Sequence, residues 1–392
     1  MSSGINFSGR SIFYTQEEID TVVDAMKNAD PLTQGKYQKE FEGKLSDYLG
    51  AEYCFAVNNG TNALEIAAQL CCFEDGDEIV APSHTFTSSV YPFVKNGASV
   101  VWADIDPITR VVTAETIEKR ITNKTKVILV VHLYGYLTDM PAIMDLAKKH
   151  NLLVIEDAAQ AIGTDIEGKK AGSFGDMGMI SLHSHKNMTT LGEGGVLIVK
   201  EEKYAELIPK LRHNGHCNFG FNRDDYWIPA MGNVDFPELN GRKLWPNNYC
   251  MGEIECAVGV KLLDRIDEIN SQKRARAIHF IDSLSAFPEL RFHRVNTYRH
   301  NYHLLVAESL NGNRDEFIRT MYNKKGIKCV VQYYPLNRYD FYKRLGFEKA
   351  GCPNADFFYD NMISFPFHHS LTDGELNYML KSTKEVLKGQ AR

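Results

Sequence analysis

Three short segments hold residue types that could act on a small molecule. In Ser181-Leu182-His183-Ser184-His185-Lys186-Asn187-Met188-Thr189-Thr190-Leu191-Gly192-Glu193-Gly194-Gly195, a lysine lies between an apolar run and a Gly-rich turn. Partial burial would lower the pKa of that amine and make Lys186 a competent Schiff-base former. A lone lysine is more often a solvated surface charge, so the reading depends on its company. His183 and His185 are two residues apart, but no third metal ligand is evident and no metal site is expected. Polar lining of a substrate site suits both better.

In Val154-Ile155-Glu156-Asp157-Ala158-Ala159-Gln160, an apolar strand delivers two carboxylates at its carboxyl end, where ligands sit in open α/β sheets. Successive strand side chains point to opposite faces, so Glu156 and Asp157 cannot share one role. A buried aspartate there needs a cationic partner or several hydrogen bonds, the plain alternative being a helix N-cap. The third segment, Asn59-Gly60-Thr61-Asn62-Ala63-Leu64, places a Gly-Thr turn at a helix start. Free N–H groups and the positive end of the helix dipole suit an anion, although capping by Asn59 or Thr61 alone would explain it. The chain has neither a P-loop nor an early G-x-G-x-x-G, which weakens nucleotide hydrolysis and dinucleotide binding. Taken in chain order, the three segments offer an anion cradle, an acid for a ring nitrogen and a Schiff-base lysine. Pyridoxal phosphate (PLP) requires that combination.

The elements that must position these groups are legible in the first half. Tyr53–Val57, Glu78–Ala81, Ser99–Ala103, Val127–Val131 and Leu152–Ile155 are short apolar runs. Ala63–Cys72, Ala114–Arg120 and Asp139–His150 between them read as helices. Such alternation predicts a parallel sheet covered on both faces. Met177–Leu182 and Gly195–Val199 read as further strands. One long helix is expected from about Gly252 to Ala286. Leu304–Glu308, Lys328–Val331 and a last helix near Asp373–Leu387 suggest a smaller C-terminal α/β domain, with the boundary at residue 270. The expected division is therefore 1–270 and 271–392. Asn214–Asn247 has little periodicity, and a loop of that length is usually functional or disordered. Trp227 and Trp245 argue for order.

Composition bounds the rest. The 392 residues are 44% hydrophobic and carry a net charge of −6, an ordinary globular profile and a poor one for binding nucleic acid. The eight cysteines include no C-x-x-C pair, so neither a zinc site nor a disulfide framework is expected. No apolar run approaches the ~18 residues of a membrane span, and no secretory leader is apparent. A cytoplasmic protein is expected.

With these motifs in view, the chain resembles the DegT/DnrJ/EryC1/StrS family of sugar aminotransferases, which are fold-type I, PLP-dependent enzymes. The resemblance runs from Pro31-Leu32-Thr33-Gln34-Gly35 through the three segments above, Ala81-Pro82-Ser83-His84-Thr85-Phe86 and Gly172-Ser173-Phe174-Gly175-Asp176. It continues at Met251-Gly252-Glu253-Ile254 and ends at Phe365-Pro366-Phe367-His368-His369-Ser370-Leu371-Thr372-Asp373. It implies a mostly parallel sheet flanked by helices, with a smaller C-terminal domain. Lys186 would bind the coenzyme covalently and shuttle a proton, and Asp157 would pair with the pyridine nitrogen. Gln160 would bond the 3′ oxygen, Gly60, Thr61 and Ser181 would hold the phosphate, and Asn62 would support the turn. Phe86 would stack on the ring.

Asn248 would reach the partner subunit's phosphate, making a homodimer with shared sites. Cys250, Pro246 and Asn337 stand where the family more often has arginine, glycine and histidine. The implied reaction passes the amino group of L-glutamate to a ketone, for most of the family a nucleotide-linked 4-keto-6-deoxy sugar in surface polysaccharide or glycan synthesis. Arg242 and Lys243 would help hold the acceptor's phosphates, or else cap the dimer interface.

A small keto phosphate or a cyclitol ketone would use the same chemistry. A PLP-dependent sugar 3-dehydratase is a further alternative, although that branch has histidine where Lys186 stands. An inactive coenzyme-binding regulator is disfavoured by the presence of Lys186, Asp157 and Gln160 together.

Overall fold

Val127, Leu129 and Val131 join one apolar cluster while Ile128 and Val130 join another, the period-two signature of a strand buried on both faces. This strand lies at the heart of the computed structural model, which describes residues 4–218, 232–347 and 350–390. Its sheet has seven strands: β1 (Tyr53–Val57), β2 (Glu78–Pro82), β3 (Ser99–Ala103), β4 (Thr125–Val131), β5 (Leu153–Asp157), β6 (Met177–Ser181) and β7 (Gly195–Val199). Their order across the sheet is β1-β7-β6-β5-β4-β2-β3. Strands β2 to β6 pair in parallel. β7 runs antiparallel to both β1 and β6, because the Gly-rich turn returns the chain without a crossover helix.

Helices cover both faces, as the alternation in sequence requires. α1 (Gln16–Asn28), α2 (Lys36–Leu49) and α4 (Met140–His150) lie on one side, and α3 (Gly60–Leu70) lies on the other. The expected single helix over 252–286 is two, α5 (Glu253–Leu263) and α6 (Ile266–Ser283). The N–H groups of Asp264 and Arg265 reach back only three residues, to Lys261 and Leu262, so the helix tightens and stops. Arg265 then turns to Glu18 on α1, with its Nε 2.5 Å from a carboxylate oxygen.

A third apolar cluster joins α6, α7 (Arg314–Lys325) and α8 (Asp373–Gln390) with the antiparallel strands β8 (Leu290–Phe292), β9 (Leu305–Ser309) and β10 (Met362–Phe365). Lys328–Val331, expected as a strand, makes only one bridge, Val330 to Ser364. The residues that follow, Gln332 and Tyr333, leave the sheet to line a cavity. Within Asn214–Asn247, residues 219–231, with Trp227, lie outside the described residues. The backbone N–H of Trp245 donates to Gln69 Oε1 at 2.8 Å.

Candidate active site

The cavity, about 640 Å³, opens at the carboxyl ends of β5 and β6. Its floor begins at the N-terminus of α3. Asn59 caps this helix by accepting the Asn62 N–H at 2.9 Å, and the Asn62 amide is held by Asn58 Oδ1 at 2.7 Å. The first-turn N–H groups of Gly60 and Thr61 have no intrahelical acceptor and sit on the cavity wall. A Cβ on Gly60 would come within 2.7 Å of Met179 Sδ and 3.2 Å of Ser181 Cβ. Only a residue without a side chain lets the turn approach β6 this closely, and that approach brings Ser181 beside the free N–H groups. Gly195 is needed for the same reason, since its Cβ would lie 2.4 Å from the Asn59 carbonyl carbon.

At the end of β5 the two carboxylates diverge as strand geometry demands. Glu156 is fully buried and accepts the N–H groups of Gly172, Phe174 and Gly175 at 2.9, 2.6 and 2.7 Å. His132 accepts the Thr138 N–H on Nδ1, which places its proton on Nε2, 2.9 Å from Glu156 Oε2. Glu156 is thus a structural anchor.

Asp157 points into the cavity. Its Oδ2 accepts from Ser89 Oγ at 2.6 Å and its Oδ1 from the Ala159 N–H at 3.0 Å. Because the Ser89 proton is spent on Asp157, Thr85 donates in turn to Ser89, at 2.9 Å. The carboxylate is held in one orientation and keeps lone pairs for a cationic partner.

Lys186 lines the same wall. Burial lowers its amine pKa from 10.5 to about 8, and the nearby Asp157 charge opposes part of that shift. Gln160 accepts the Tyr134 N–H at 2.6 Å, and its amide nitrogen donates to the Tyr333 hydroxyl at 3.1 Å across the cavity. Burial pushes the Tyr333 phenol up to about 12. Phe86, half exposed, meets Tyr333 edge-on at 5.7 Å between ring centres.

The structure therefore brings Gly60, Thr61, Asn62, Phe86, Asp157, Gln160, Ser181, His183, His185 and Lys186 to one cavity. His183 stands 3.8 Å from Glu193, and His185 is exposed at the rim with a pKa lowered by burial, His183 and Lys186. Asn248 does not line the cavity of its own chain; it is exposed and bridged to His213. Arg242 and Lys243 sit on a short hairpin away from the cavity, where Arg242 donates to the Phe73 carbonyl. Among the described residues no cluster of metal ligands is found. Ser89 and Tyr333 were not singled out from the sequence, and Lys273 belongs to the basic run Lys273-Arg274-Ala275-Arg276, whose helical pattern suggests a solvated face, whereas Lys273 is buried. A serine or a helical lysine carries no local sign of its task.

A cradle that a Cβ would fill, a carboxylate fixed by two donors and a low-pKa amine on one wall fit the three demands of PLP. Fold and site together define a PLP enzyme of fold type I. The chain belongs to the DegT/DnrJ/EryC1/StrS aminotransferase family, whose model matches residues 14–384, and it is a PLP-dependent aminotransferase. It is 32% identical over 376 residues to a GDP-perosamine synthase of Caulobacter vibrioides, covering 94% of this chain and 95% of that one. An aminotransferase from Psychrobacter cryohalolentis superposes with a TM-score of 0.87 at 27% identity, over 99% of this chain and 100% of the other. A Streptococcus pneumoniae protein described as a sugar aminotransferase, solved in its PMP form, gives 0.86 at 26% identity over 98% and 100%.

Proposed function

We propose that the enzyme transfers the amino group of L-glutamate to a keto sugar, a nucleotide-linked 4-keto-6-deoxyhexose, in the synthesis of a surface polysaccharide or glycan precursor. The similarity to a GDP-perosamine synthase along nearly the whole chain carries this reading. The cavity supports it, because its lining adds Ser8, Ser88 and His368 to the site residues, polar groups suited to sugar hydroxyls.

The coenzyme supplies an aldehyde that captures amines and a ring that accepts electrons. The chain's own residues do the rest. The N–H groups of Gly60 and Thr61, with Ser181, bind an anion. Asp157, oriented by Ser89 and Ala159, favours a proton on a nitrogen placed beside it. Lys186 Nζ, with a pKa lowered by burial to about 8, accepts a proton and returns it. Phe86 would stack on the coenzyme ring, with Tyr333 edge-on beside it. In the same proposal Asn248 serves the site of a second copy in a cytoplasmic homodimer, which accords with its exposure. The chain divides near residue 270. No helix among the described residues is long and apolar enough to cross a membrane.

The test is an acceptor screen by mass spectrometry with GDP-, UDP- and dTDP-linked keto sugars beside small keto phosphates and cyclitol ketones. Amination of a nucleotide-linked sugar with formation of 2-oxoglutarate is the expected result. Amination of small ketones alone would replace the acceptor in this proposal.

A further inference from the structure

We propose that Lys273 receives a carboxylate of the amino donor, an assignment that rests on the reading of L-glutamate as that donor. Lys273 lies on α6 and is 6% exposed, yet it lines the active cavity. Its ammonium donates to Asn187 Oδ1 at 2.9 Å and to the His303 carbonyl at 3.1 Å, both uncharged. An ammonium has three donors, so one is left for the cavity. A buried cation without a counter-ion is costly, and an arriving anion removes the cost. Phe367, 5.3 Å from Nζ to its ring centre, gives the charge partial support.

Among the described residues lining the cavity, Lys186 and Lys273 are the only lysines, and arginine is absent. Lys186 is committed to the reacting amine. Three histidines of the lining, His303, His368 and His185, have pKa values lowered first of all by burial, which disfavours their charged forms. The Lys273 amine itself is lowered by burial and by Arg276 to about 7, so a neighbouring carboxylate would draw it to the charged form.

Position selects the ligand. Lys273 bonds the side chain of Asn187, the residue that follows Lys186, and both lysines line the same cavity, so the charge faces the space that holds the reacting centre. In an amino acid the carboxylate sits on the carbon that bears the amine. The phosphates of a nucleotide-linked 4-keto sugar sit across the ring from the ketone. A cation here matches the donor's carboxylate and not the acceptor's diphosphate.

Lys273→Gln retains a donor for Asn187 and removes the charge, and Lys273→Met removes both. The PLP-loaded enzyme and both variants are titrated with glutarate, which has glutamate's two carboxylates and no amine to react. Both variants are expected to bind glutarate about tenfold to a hundredfold more weakly, with the coenzyme absorbance of Lys273→Gln unchanged. Unaltered glutarate affinity in Lys273→Gln, or no glutarate binding by the wild type, overturns the assignment. Formation of 2-oxoglutarate from glutamate by the wild type is scored beside it. If the wild type binds glutarate but forms no 2-oxoglutarate, the donor reading fails, and the assignment to glutamate goes with it.

Discussion

Ser89 Oγ donates to Asp157 Oδ2 at 2.6 Å, joining the short helical turn after β2 to the end of β5. The bond fixes which carboxylate oxygens stay open to the cavity. Asp157→Asn keeps the shape and loses the charge that protonates a ring nitrogen. One to three pKa units on that nitrogen correspond to a loss of about tenfold to a thousandfold in turnover. Ser89→Ala should cost much less, since the Ala159 N–H remains. Steady-state kinetics with glutamate tests both, and an Asp157→Asn enzyme as fast as wild type would remove the residue from its role.

Lys186→Ala should purify folded and fail to complete a catalytic cycle, with turnover down by at least ~10³-fold. Amination near the wild-type rate would refute the assignment. Because the amine pKa is lowered to about 8, its reactive free base reaches one half near pH 8 and levels off above about pH 9. Covalent capture of PLP by coenzyme-free protein, measured by borohydride trapping, should follow that curve. A rate still climbing steeply past pH 9 would mean an ordinary, solvated lysine.

Glu156 should matter for stability and not for chemistry. Glu156→Ala strips acceptors from three buried N–H groups and from His132, a loss of about 3–5 kcal/mol by analogy with broken buried pairs. Chemical denaturation is the measurement. A variant with native stability would show that the loop over residues 172–175 is held by other contacts.

Gly195→Ala tests the cradle without touching a catalytic residue. Its Cβ would lie 2.6 Å from the Gly60 nitrogen, so the turn must move away from β7. PLP affinity, read by absorbance titration, should fall about tenfold or more, with a stability loss of about 1–3 kcal/mol. Gly43→Ala, on α2 with open space around its Cβ, is the control and should be neutral or stabilising by up to ~1 kcal/mol. Equal PLP affinity in wild type and Gly195→Ala would show that the close approach is unnecessary.

Local chemistry explains what could be read from the chain alone. The strands β1 to β7 were legible as short apolar runs, several of them β-branched, set between helical stretches and turns. Lys186, Asp157 and the Gly60-Thr61 turn were legible because each sits at a strand end beside its own distinctive neighbours. Periodicity could not show the break between α5 and α6, since both helices continue an apolar pattern and the stop comes from a tightened turn beside Glu18. Nor could it exclude a strand at Lys328–Val331, whose composition suits one but whose chain departs toward the cavity.

The linear order of residues thus determined the sheet, the coenzyme and the groups that act on it, because those depend on patterns within a few residues. Only the tertiary structure decided that Ser89 orients Asp157, that Tyr333 meets Gln160, and that Lys273 shares a cavity with Lys186. Each of these pairs is separated by tens of residues or more, and no local propensity encodes a hydrogen bond that exists only after the sheet, α6 and the C-terminal segments have packed together.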